Sequence, residues 1–128
     1  MPPRFPTDNS EAIFDKLTMS ALEGTPLSIA LRDCGITSMA LVGVAMEIGI
    51  EPTARHAADL GYQVFVVAEA CQAADTIDLR GRVWPAEDVR ALALARLKGE
   101  TATIVDVATT LRAAATAKAR QRRASGRA

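Results

Sequence analysis

Three strand-length apolar runs alternate with helix-length stretches along this chain, and that alternation restricts the fold more than any other feature. Ser38–Val44 carries Met39, Ala40, Leu41 and Val42 in succession, Val64–Ala68 reads Val-Phe-Val-Val-Ala, and Ala102–Val105 is a shorter third run. Runs without polar alternation predict strands buried on both faces, as in parallel sheets. The stretches between them carry helix punctuation. Thr25-Pro26 predicts a start with Thr25 as N-cap and Pro26 at the first helical position, where its missing N–H costs nothing, and Gly35 marks the stop. A helix over about Ile48–Leu60 keeps Pro52 in its first turn and closes at Gly61. Pro85–Leu97 reads as a helix with Glu87 and Asp88 in its first turn, and Asp106 caps a last one. Strands joined through helices require right-handed crossovers. The expected class is therefore α/β, a Rossmann-like parallel sheet with helices on both faces. Ligands of such sheets sit beyond the carboxyl ends of the strands, which directs attention to the loops after Gly43, Ala68 and Val105.

A chain of 128 residues with 49% hydrophobic and 23% charged residues suits one globular domain and excludes wholesale disorder. Cys34 and Cys71 are too few for a disulfide framework. The longest apolar stretch, Met39–Met46, falls far short of the roughly 20 residues a membrane span needs. The Pro-rich start Met1-Pro2-Pro3-Arg4-Phe5-Pro6 is not a secretory signal, so a cytoplasmic location and no membrane partner are expected.

The formal net charge is zero, but the charges are unevenly placed. Asp106 is the last acid, and Arg112, Lys118, Arg120, Arg122, Arg123 and Arg127 follow it. The first 106 residues hold nine bases against 15 acids, a net of −6. The expected organisation is an extended arm over residues 1–9, an α/β domain over 10–112 and a basic Ala/Arg-rich tail over 113–128. As a helix, the tail would gather Arg112, Arg120, Arg123 and Arg127 within about 80° of one another. With 4% aromatics there is nothing to interleave with that stripe, so no nucleic-acid partner is expected.

The stretch Gly43-Val44-Ala45-Met46-Glu47-Ile48-Gly49, continuing through Thr53-Ala54-Arg55-His56-Ala57 to Glu69-Ala70-Cys71, is the most specific. It resembles the isochorismatase-like cysteine hydrolases, the superfamily of nicotinamidases, N-carbamoylsarcosine amidohydrolases and isochorismatases. Members read G-[VI]-A-T-[DE]-x-C-V-x-x-T-A-x-D-A at this point, followed by a strand and D-A-C. Upstream, Lys16-Leu17-Thr18-Met19-Ser20-Ala21-Leu22 is similar to the family's K-x-x-x-S-A-F segment. The resemblance covers about residues 12–112, matching the C-terminal part of such a hydrolase.

Carried over residue by residue, the resemblance places Lys16 on the catalytic lysine, the Val44–Ala45 bond on a non-proline cis peptide, and the N–H groups of Ala45 and Gly49 on the oxyanion hole. A strand-to-helix turn suits that role, because it directs N–H groups and the positive end of a helix dipole at developing negative charge. The family's nucleophile is a cysteine, and its position here is Gly49. The family's catalytic aspartate lies on a strand upstream of the lysine; here Asp8 and Asp15 lack that context, and the segment bearing it is expected to be missing. The resemblance thus implies a degenerate or truncated hydrolase-like protein without cysteine-dependent hydrolysis of amide or ureide C–N bonds. It retains a turn, Val44–Gly49, able to hold a small polar ligand. No metal or cofactor is expected. Without its first strands the sheet should expose an edge, which predicts a homo-oligomer. The other readings are an interaction module and an active hydrolase with a different nucleophile. Neither Cys71, after the second strand, nor Cys34, at a helix C-terminus, has the helix N-terminal setting that activates a thiol. His56 stands alone where the family has an acid, and Tyr62 and Trp84 read as packing residues.

Overall fold

The computed structural model describes residues 11–126. The expected arm over residues 1–9 lies outside them. Helix α1 (Leu27–Asp33) leads to strand β1 (Ser38–Val44), a π-helical turn (Met46–Ile50) and helix α2 (Glu51–Asp59). Strand β2 (Gln63–Gln72), a hairpin of β3 (Thr76–Ile77) and β4 (Val83–Trp84), and helix α3 (Ala86–Leu97) follow. Strand β5 (Thr103–Val105) and helix α4 (Val107–Ser125) complete the order. The sheet is parallel throughout, in the order β1-β2-β5, so the α/β class read from the alternation is the observed one.

Each helix end has a local cause. Pro26 sits at the N-cap of α1, one position earlier than expected, because the Thr25 hydroxyl donates back to the Ala21 carbonyl. Pro52 occupies the first turn of α2, and Gly61 closes it with φ +93°. Asp106 caps α4 by accepting from Thr109 N at 2.6 Å, and Glu69 within β2 accepts from Val107 N at 2.8 Å. α4 then runs unbroken through the expected boundary at residue 112, and from Leu111 onward it is exposed.

The main core joins Val64 and Val66 of β2 to Met46, Ile50, Ala54 and Ala57 below the turn and to Ala93 and Leu97 of α3. Val67, equally buried, lies outside that cluster, as the pleat requires, on the side of β2 that meets α4. Burial on both faces, expected of every strand, therefore holds for β2 but not for β1. In β1 exposure alternates: Met39 and Leu41 are half-buried, whereas Ala40, Val42 and Val44 are exposed. The hairpin was not legible in the sequence. Its strands are two residues each, and Asp78 holds them by accepting from Arg80 N, Arg82 N and Trp84 Nε1 at 2.9–3.0 Å. The Arg82 guanidinium stacks 4.0 Å from the Trp84 ring centroid, so Trp84 packs within the hairpin and not in the core.

Candidate active-site turn

The sheet delivers β1 and β2 to the same end of the molecule, where the chain turns from strand into helix. Gly43 makes the bend with φ +144°, a backbone conformation that L side chains rarely adopt. The following Val44–Ala45 peptide is cis. Met46 is fully buried and anchors the turn in the core. Glu47 braces it laterally, its Oε1 accepting from Ala74 N at 3.3 Å beyond β2, while its buried Oε2 has no hydrogen-bond partner.

The Ala45 carbonyl accepts from Ile48 N at 3.2 Å and from Gly49 N at 2.9 Å. The Gly49 N–H, read from the sequence as a free donor for an oxyanion, is therefore engaged within its own turn, as helical N–H groups beyond the first few are. At Gly49 a Cβ would meet no atom within 4 Å, and its φ is not in the left-handed region. Gly49, which the resemblance places where the family has its nucleophile, is thus an open notch beside a helical turn, with room for a side chain.

Lys16 is exposed, and its Nζ donates to the Thr18 and Met19 carbonyls at 2.8 and 3.0 Å. Its segment is fastened to α2, the helix that the turn begins. Ala21 N donates to Thr53 Oγ1 at 3.0 Å, and Ser20 Oγ lies 2.7 Å from His56 Nδ1. His56 is therefore not isolated: with Thr53 one helical turn before it, it staples the lysine segment to the helix. The sequence pairing of Ser20-Ala21 with Thr53 and His56, 32 and 36 residues apart, carried no local signal of this contact.

Cys71 lies within β2, opposite Gly43, and not in the loop after the strand. It is 1% exposed, its thiol donates to the Leu41 carbonyl at 3.7 Å, and burial raises its pKa against the smaller opposing effects of Gly43 and Arg90. A neutral, enclosed thiol is a poor nucleophile. Cys34 is exposed at the C-terminal end of α1.

Two of the clefts lie at opposite ends of the strands. One of about 380 Å³ opens at the carboxyl end of β2 and is lined by Glu69, Cys71, Glu87 and Arg90, with Arg90 donating to the Ala68 carbonyl at 2.7 Å. The other, of about 430 Å³, is lined by Thr37, Gly61 and Tyr62, the residues leading into β1 and β2. Its place at the amino ends of the strands sets it apart from the turn, so the smaller cleft is the one relevant to the turn's chemistry. No described helix is long and apolar enough to cross a membrane.

Comparison with known proteins agrees with this fold. Residues 2–109 match the isochorismatase domain, starting upstream of the residue 12 inferred from the motifs, so coverage of the C-terminal part alone is not upheld. The uncharacterised isochorismatase family protein YecD of Escherichia coli O157:H7 is 41% identical over 59 residues, 46% of this chain and 31% of that protein. YddQ of Bacillus subtilis, of the same family, is 30% identical over 94 residues, 73% of this chain and 52% of its own. An isochorismatase-family protein from Chromobacterium violaceum superposes with TM-score 0.79 at 34% identity, covering 84% of this chain and 55% of that one. The chain thus spans about half the length, or less, of the relatives it matches. With most of its length matched by the domain, and with that fold, this chain belongs to the isochorismatase family.

Proposed function

We propose that this chain uses the Val44–Gly49 turn to bind a small polar, carbonyl-bearing molecule and does not carry out cysteine-dependent C–N hydrolysis. The observation that carries the reading is Gly49, a residue without a side chain where the resemblance puts the family's nucleophile. Loss of a nucleophile from a catalytic set costs on the order of 10⁶ in rate, by analogy with a serine protease. Neither cysteine replaces it, since Cys71 is enclosed and Cys34 stands at the wrong end of a helix. What remains for a ligand is the first N–H groups of the turn and the adjoining cleft with Arg90.

The test is an amidase assay on purified chain, with nicotinamide as one substrate, beside the Gly49→Cys variant. The wild-type chain is expected to show no turnover above the blank. A wild-type rate that scales with enzyme concentration and is abolished by thiol alkylation would overturn the proposal; one that survives alkylation would favour a different nucleophile. A second reading, self-association, is favoured by a separate observation, the bare outer face of β1.

A further inference from the structure

The larger cleft, at the amino ends of β1 and β2, stands apart from the turn, yet its lining has a chemistry of its own. Arg32 from the last turn of α1, His56 from α2 and the hydroxyl-bearing Thr37 supply its polar wall, and Leu22 and Leu60 an apolar one. Among the described residues no carboxylate lines it; Asp33 and Asp59 are near in sequence but outside the lining. The first 106 residues, by contrast, carry a net charge of −6. A concave site furnished with basic and hydrogen-bonding groups alone is an exception on such a body.

The two basic side chains are free to meet a ligand. Both ion pairs among the described residues join Glu51 to Arg55 and Arg96, so Arg32 has no counter-ion in its own described chain. His56 is engaged at one ring nitrogen. Ser20 Oγ accepts from Leu22 N at 3.2 Å, and its own proton has His56 Nδ1, 2.7 Å away, as partner. That assignment leaves the ring hydrogen on Nε2, a donor oriented by the Ser20 contact.

We propose that this cleft binds a small organic anion, a phosphate or carboxylate head on a compact apolar body. The Arg32 guanidinium takes the head in its planar fork, and His56 Nε2–H and the Thr37 hydroxyl complete its hydrogen bonds. Leu22 and Leu60 cover the body. A volume of about 430 Å³ suits one such molecule. A cation would find no carboxylate here, and a polyanion would be repelled by the acidic body beyond the cleft. This ligand is independent of the one at the turn, whose cleft lies at the other end of the strands.

The experiment is calorimetric titration of the full chain with phenyl phosphate, benzoate, inorganic phosphate and benzyl alcohol, beside proton–nitrogen correlation spectra. Phenyl phosphate, benzoate or both are expected to bind, inorganic phosphate more weakly and benzyl alcohol not detectably. The tighter of the first two identifies the head. Arg32→Gln and His56→Gln are each expected to weaken binding about tenfold, the loss of one charge-assisted hydrogen bond. Lys118→Gln on α4, which changes the net charge as much as Arg32→Gln does, leaves binding unaltered. Arg32 is exposed and in no ion pair, so its variant decides the matter even where His56→Gln loosens the Ser20 segment. Amide shifts are expected at Thr37 and Gly61 and not at Gly49. Binding of neither organic anion, or binding indifferent to Arg32→Gln, overturns the cleft and leaves the reading of the turn standing. Shifts confined to Ala45–Gly49 overturn the cleft in favour of the turn. Inorganic phosphate bound as tightly as phenyl phosphate overturns the organic body.

Discussion

Two glycines six residues apart do opposite things. Gly43 is held at φ +144°, so Gly43→Ala is expected to cost about 1–3 kcal/mol, read as a lower urea midpoint. Gly49 has no such constraint and has open space at its Cβ, so Gly49→Ala is expected to leave stability unchanged or raise it by up to about 1 kcal/mol. A chain in which both substitutions destabilised equally would mean that Gly49 is held by packing and is not an open notch. The staple at Thr53 makes a third test. Thr53→Val removes the acceptor of Ala21 N in a site where Thr53 is 6% exposed, an expected loss of about 1–3 kcal/mol, again by urea denaturation. Residue-level legibility followed the same division. Gly49 could be read from the sequence, because a missing side chain is a fact of composition. The engagement of its N–H by Ala45, and the contact of His56 with Ser20, could not, because both depend on how the backbone closes.

Among the elements, those with strong punctuation were legible. α3 and α4 begin at Pro85 and Asp106 as the sequence implies, and β1 has its expected bounds. β2 was read five residues long and is ten, because its extension through Glu69 and Cys71 is supported by pairing to Gly43 and Val44, a non-local gain that polar residues conceal. The hairpin escaped because side chains, not alternation, define it. Asp78 and Asp106 titrate with these elements. The Trp84 indole, then the Arg82 and Arg80 N–H groups, hold Asp78 below the usual carboxylate range, and the Thr109 side chain, then its N–H, do the same for Asp106. A depressed folded-state pKa means that the stabilisation is present above the ordinary carboxylate pKa and is lost as pH falls through the folded value. Acidification through that window is expected to change Trp84 fluorescence as its indole loses the carboxylate, and to fray the start of α4. Asp106→Asn keeps an N-cap that does not titrate, so it should remove the pH dependence of the helical signal and leave the Trp84 transition in place.

At the scale of the whole molecule, the two cysteines report on different things. Cys34 is exposed at the end of α1, a helix with no buried residue, so its thiol is open to solvent in the native state. Cys71 is enclosed where β2 pairs with Gly43, and burial raises its pKa, so little thiolate forms even if reagent arrives. Its modification then requires opening of the β1–β2 pairing, and its rate measures the population of that opening when reclosing is fast. Mass spectrometry after iodoacetamide treatment is expected to show rapid single labelling at Cys34, slow labelling at Cys71, and rapid double labelling in urea. The same measurement connects the core to the sheet edge. Equal rates at the two cysteines in native buffer would show that the edge opens freely and that the β1–β2 pairing does not protect the thiol.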